Sequence, residues 1–115
     1  MSTEAGQIAA TPEPPYVAVI FTSLRTPGDA GYGETAAAME ELAAKQPGYL
    51  GIESAREGDG LGITVSYWDS LDSIRKWREH AEHRLAQRDG KSKWYAQYRL
   101  RVCKVEEEIV FRRDG

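Results

Sequence analysis

The segment Tyr16–Leu24 (YVAVIFTSL) is apolar on both faces of any strand it forms. Its β-branched and aromatic content favours extended backbone. Val17, Val19 and Phe21 then point one way, and Ala18, Ile20 and Thr22 point the other. A strand of this kind sits inside a sheet covered on both sides. A chain of 115 residues makes one domain of ordinary size. Its own helices have to cover one face of that sheet, and something else has to cover the other.

The remaining segments supply those parts. Residues 1–15, with Thr11-Pro12-Glu13-Pro14-Pro15, favour open polyproline-like backbone and offer little to bury. They are expected to form a flexible tail, or an arm that orders only on a partner. Thr26 to Gly31 is turn-rich. A helix is predicted from about Tyr32 to Gln46, with Ala36, Met39, Leu42 and Ala43 as its buried stripe and Pro47-Gly48 as its stop. Tyr49–Glu57 and Leu61–Trp68 read as strands joined by a tight turn at Gly58-Asp59-Gly60. Asp69 or Ser70 caps a second helix running to about Gln87, with a break near its middle left open. Leu71, Ile74, Ala81 and Leu85 form its core stripe. Trp94 to about Glu106 is the last long strand.

The order βαββαβ is the ferredoxin-like pattern: an α+β domain with a four-stranded antiparallel sheet and both helices on one face. The domain spans residues 16–108, and residues 109–115 form a C-terminal tail. The simplest cover for the second face is another copy of the chain, so a homodimer packed sheet to sheet into an α/β barrel is expected.

Composition removes several function classes. Eighteen acids against 15 lysines and arginines give a net charge of −3, the wrong sign for a general nucleic-acid binder. No apolar run is long enough to span a bilayer, and no secretory leader is visible at the N-terminus, so no membrane partner is expected. The single cysteine, Cys103, fits a reducing, cytoplasmic setting and rules out an internal disulfide. One cysteine and two histidines are too few for a Cys/His zinc site, so no metal is expected. Gly58-Asp59-Gly60-Leu61-Gly62 joins two strands and opens no helix, so it is not a phosphate loop.

The run Tyr67-Trp68-Asp69-Ser70-Leu71-Asp72-Ser73-Ile74-Arg75-Lys76-Trp77 is a strand ending in tryptophan, a polar cap, and a second tryptophan nine residues after the first. It resembles the antibiotic biosynthesis monooxygenase domain family of dimeric α/β-barrel proteins. Pro47-Gly48-Tyr49 resembles that family's entry to its second strand, and the similarity covers about residues 16–108. The resemblance implies the dimeric barrel fold. It implies either cofactor-free oxygenation of polyphenolic substrates or degradation of haem. Haem-degrading relatives carry a haem-ligating histidine ten residues after the second tryptophan, and that position here is Gln87. Glutamine is not a normal axial ligand of haem iron. They also carry an asparagine on the first strand, and this chain has no asparagine at all. Haem degradation is therefore disfavoured and no cofactor is expected. Cofactor-free oxygenases use an asparagine too, so their mechanism does not transfer directly.

Helical projection of residues 71–87 places Trp77, His80 and Arg84 together on one flank of the core stripe. Trp77 offers a wall to a flat substrate, His80 a proton acceptor or donor near neutrality, and Arg84 a charge to steady a phenolate or enolate. Trp68 and Tyr98 are further candidate substrate contacts. The plainer reading is a core tryptophan beside a half-exposed histidine and a surface arginine. His83 falls nearly opposite the stripe and is expected to be solvated and silent. Glu79-His80-Ala81-Glu82-His83 reads as a surface charge cluster, and the basic-aromatic run Lys93–Arg99 as a strand entering an interface. Two function classes remain. One is a cofactor-independent monooxygenase-like enzyme for a small aromatic or quinol. The other is a non-catalytic dimeric module that binds a small ligand.

Overall fold

A computed structural model describes residues 8–28, 31–58, 60–87 and 93–113, with the side chains of 82–87 outside that description. The elements are β1 (Tyr16–Arg25), α1 (Tyr32–Ala44), β2 (Tyr49–Arg56), β3 (Leu61–Trp68), α2 (Leu71–Gln87) and β4 (Tyr95–Val105). The sheet order is β2-β3-β1-β4, with every neighbouring pair antiparallel. This is the ferredoxin-like arrangement expected from the element order.

Strand register decides which residues meet the helices. Val17 pairs with Trp68, Val19 with Ser66 and Ser23 with Gly62, so these share one face. Val19 and Trp68 pack there with Ala43 of α1 and Ile74 of α2, and half-buried Val17, Tyr49 and Trp77 close the cluster. α1 lies over β2 and α2 over β3.

The helices depart from expectation in three details, and α2 settles two points the sequence left open. α1 ends at Ala44 rather than Gln46, because the amides of Lys45 and Gln46 bond three residues back and tighten the last turn. Its fully buried positions are Thr35 and Ala43, while Ala36, Met39 and Leu42 are not fully buried. α2 is one unbroken helix, and its cap is Ser70, whose Oγ accepts the Ser73 amide at 3.1 Å. Leu71 does not join the core: it is 58% exposed, since the buried stripe centres on Ile74, Trp77 and Ala81 and leaves the first turn at its edge. The start of α2 is held down by the Asp69 amide, which donates to the Gly48 carbonyl at 2.8 Å. Gly48 has a φ of +89°, and a Cβ there would collide with Ser73 and Asp69.

The opposite sheet face carries Tyr16, Ala18, Ile20 and Leu24 of β1 beside Tyr67, Val65, Ile63 and Leu61 of β3. One end of it is covered by the chain's own termini. The Tyr16 hydroxyl donates to Glu108 at 2.7 Å and shares a hydrogen bond with Thr11 at 2.9 Å. The Ala9 amide reaches Glu53 at 3.0 Å, which also accepts the Tyr67 hydroxyl at 2.7 Å. Beyond that end, Leu24, Leu61 and Ile63 remain 39%, 43% and 46% exposed.

Candidate functional site

The site builds outward from Trp68, the last residue of β3. Its side chain is fully buried, and its indole N–H donates to Ser66 Oγ at 2.9 Å, so the ring keeps a hydrogen bond inside the core. Tyr49 meets it edge-on at 5.5 Å. Trp77, two turns into α2, stacks on the Trp68 ring with centroids 6.2 Å apart and planes 22° from parallel. One turn later His80 stacks on Trp77 at 5.9 Å, again at 22°. The three rings thus form a file from the core to solvent, where His80 is exposed. A planar wall ending in an imidazole can hold a flat conjugated molecule beside a group that exchanges protons.

The structure brings Trp68, Trp77 and His80 together and sets Tyr98 apart. Tyr98 faces the helices too, but it pairs with Ser23 while Trp68 pairs with Val17. Six residues of extended chain separate those partners, about 20 Å along the sheet. Arg84 lies one turn beyond His80 in α2, and its side chain falls outside the described residues, as does that of His83.

Tyr98 belongs instead to a second aromatic group that the sequence did not reveal. Its ring lies 5.2 Å from Phe21 and 5.6 Å from Tyr95. Tyr32, at the start of α1, meets Trp94 and Tyr95 edge-on, each at 5.9 Å. The Arg25 guanidinium covers the Tyr32 ring at 3.6 Å, and that of Arg56 lies 5.7 Å from the same ring. Burial raises the Tyr95 phenol well above its ordinary range, the neighbouring Tyr32 hydroxyl adds to this, and the two arginines oppose it. Tyr95 and Tyr98 are three residues apart, an odd spacing that alternation assigns to opposite faces. An irregularity in the β1–β4 register between Leu24 and Arg25 brings both to the same side. Among the described residues no cluster of three or more His, Cys, Asp or Glu is placed to hold a metal ion. No helix among them is long and apolar enough to cross a membrane.

The model of the antibiotic biosynthesis monooxygenase family matches residues 15–89, more than half of the chain. The chain belongs to the antibiotic biosynthesis monooxygenase family. The matched region contains both helices, the Trp68–Trp77–His80 file and three of the four strands. A relative in Bacillus subtilis, named as uncharacterized protein YqjZ, is 56% identical over 107 residues, covering 93% of this chain and 94% of its own. Among solved structures, SnoaB from Streptomyces nogalater, described as a cofactor-independent oxygenase, superposes with a TM-score of 0.67 at 15% identity, covering 84% of this chain and 98% of that one. Rv0793 from Mycobacterium tuberculosis superposes with a TM-score of 0.66 at 18% identity, covering 83% and 99%. At these identities the two structures establish the shared fold.

Proposed function

We propose that this family member is a cofactor-independent monooxygenase that oxidises a small aromatic substrate, a quinol or an anthrone, against the exposed edge of Trp77 and His80. The observation that carries this is the file of stacked rings from buried Trp68 to exposed His80. Trp68 holds Trp77 flat, Trp77 gives a conjugated ring its wall, and His80 stands where a substrate proton can be taken. Arg84, one turn on in α2, is assigned to the anion that results. With an anthrone, removing a proton from the activated ring methylene makes the ring system electron-rich enough to reduce dioxygen. Overall, the methylene loses both hydrogens and becomes a carbonyl, and dioxygen is split. One of its oxygen atoms enters the product, and the other leaves as water with the two hydrogens. The description of SnoaB as a cofactor-independent oxygenase supports chemistry without a cofactor in this fold.

The working form is a homodimer in which a second copy covers the sheet face bearing Leu24, Leu61 and Ile63, an apolar set too exposed to be left in water. A cytoplasmic location is supported by the single, exposed cysteine.

A second reading, a non-catalytic dimer that binds a small ligand, is favoured by the absence of asparagine from the chain. Oxygen uptake with a panel of anthrones and quinols separates the two. The oxygenase reading predicts uptake above the spontaneous rate, proportional to protein and insensitive to metal chelators. Uptake no faster than in buffer across the panel contradicts it.

A further inference from the structure

The two ends of the open sheet face differ in what they expose. Beyond Val105, the last residue of β4, the chain continues through Glu106–Glu108 and then Ile109-Val110-Phe111. Glu108 accepts the Tyr16 hydroxyl at 2.7 Å, which ties this segment to the end of the face where Tyr16 pairs with Val105. The next three residues are apolar and almost bare: Ile109 is 98% exposed, Val110 67% and Phe111 78%. At the other end of the same face, Leu24 and Ile63 also keep much of their apolar surface in water.

The segment is too short to cover that patch on its own chain. Ile63 pairs with Thr22, six residues along β1 from Tyr16, and Leu24 lies farther still. Six residues of strand span about 20 Å. The three residues past Glu108 reach about 11 Å at most. An apolar triplet and an apolar patch that one chain cannot join mark contacts with another molecule.

Charge divides along the face in the same way. Glu106, Glu107 and Glu108 stand at the Tyr16 end. Arg101 and Arg99 lie on the open side of β4, opposite Ile20 and Thr22, and so toward the Leu24 end. Both arginines are exposed, and neither forms an ion pair among the described residues. Two copies set face to face with their strands running the same way put acid over acid and arginine over arginine. Turned end for end about a two-fold axis across the strands, each copy brings its acids to the other's arginines and its apolar triplet to the other's patch.

We infer that residues 109–111 are an arm that docks on a second copy of this chain, across the patch formed by the partner's Leu24 and Ile63, in a pair whose strands run in opposite directions. The occupant is a second copy because this chain carries both the apolar and the ionic complement of its own face. The inference rests on the proposed homodimer and adds its orientation and the segment that clasps it.

Sedimentation equilibrium of the full chain, of a chain ending at Glu108 and of Phe111→Asp tests the arm. Both changes fall on exposed residues, so both proteins are expected to unfold as cooperatively as the unsubstituted chain. Each is expected to raise the dimer dissociation constant at least tenfold. Orientation is read by a short bismaleimide in a Cys103→Ser background. Mixed Ile63→Cys and Phe111→Cys copies are expected to link to one another, and Phe111→Cys copies alone are not. A full chain that sediments as a monomer overturns the homodimer and the arm together. A dimer of unchanged strength in both arm variants overturns the arm and leaves the homodimer standing. So does linkage of Phe111→Cys copies to each other with none to Ile63→Cys.

Discussion

Trp77 lies on Trp68 with ring centroids 6.2 Å apart, so a residue of α2 is held in place by the last residue of β3. The two tryptophans do different work. Trp68 is fully enclosed, whereas Trp77 has one edge toward solvent and His80 beyond it.

Their substitutions should separate accordingly. Trp68→Ala empties the centre of the core and is predicted to cost about 3–5 kcal/mol. Trp77→Ala removes a half-buried ring and is predicted to cost about 1–2 kcal/mol, leaving a folded protein with a lost wall. Urea unfolding curves measure both. Equal losses would mean that Trp77 is core and offers no free edge to a substrate.

That file of rings was largely legible in the chain. The nine-residue spacing of Trp68 and Trp77 across a polar cap fixes a strand-to-helix corner, and the three-residue step to His80 follows from helical geometry. The phase of α1 was not legible, because its alanines are too alike in size to mark a buried side. Contacts from Tyr32 to Arg25, Trp94 and Tyr95 anchor its start, and Thr35 is buried one turn later. The separation of Tyr98 from Trp68 also needed the strand register, which no local pattern records.

The tyrosines predict an alkaline limit to stability. Burial raises the phenols of Tyr16, Tyr49, Tyr67 and Tyr95 above their ordinary value, and for Tyr67 the hydrogen bond to Glu53 adds to it. Each folded phenol then keeps its proton at a pH where the unfolded chain has begun to lose it. Stability is therefore full below about pH 10 and falls as pH rises beyond it. Phenolate absorbance should show these four rings ionising late, together with unfolding, and Tyr67→Phe should soften the alkaline fall. Ionisation of all tyrosines near pH 10 in a still-folded protein would contradict this.

The proposed dimer can be tested at Cys103. This exposed thiol pairs across the ladder with Ala18, on the face that carries Leu24 and Ile63. A second copy on that face would shield it. Light scattering is predicted to give about twice the 12.8 kDa of one chain, with slow maleimide labelling of Cys103. Ile63→Arg is predicted to yield monomer and label at least tenfold faster. A native monomer with a fast-reacting thiol would contradict the assembly.

Proton removal by His80 is the central step of the proposed reaction, and oxygen uptake with an anthrone tests it directly. His80→Gln is predicted to lower the rate at saturating substrate by about a hundredfold or more, the usual worth of a placed general base. His83→Gln, three residues on in the same helix, is predicted to stay within about twofold of the unsubstituted chain, because helical projection of the sequence puts it nearly opposite the core stripe. Equal rates in the unsubstituted chain and His80→Gln, or a loss confined to His83→Gln, would contradict the assignment and the site built on it.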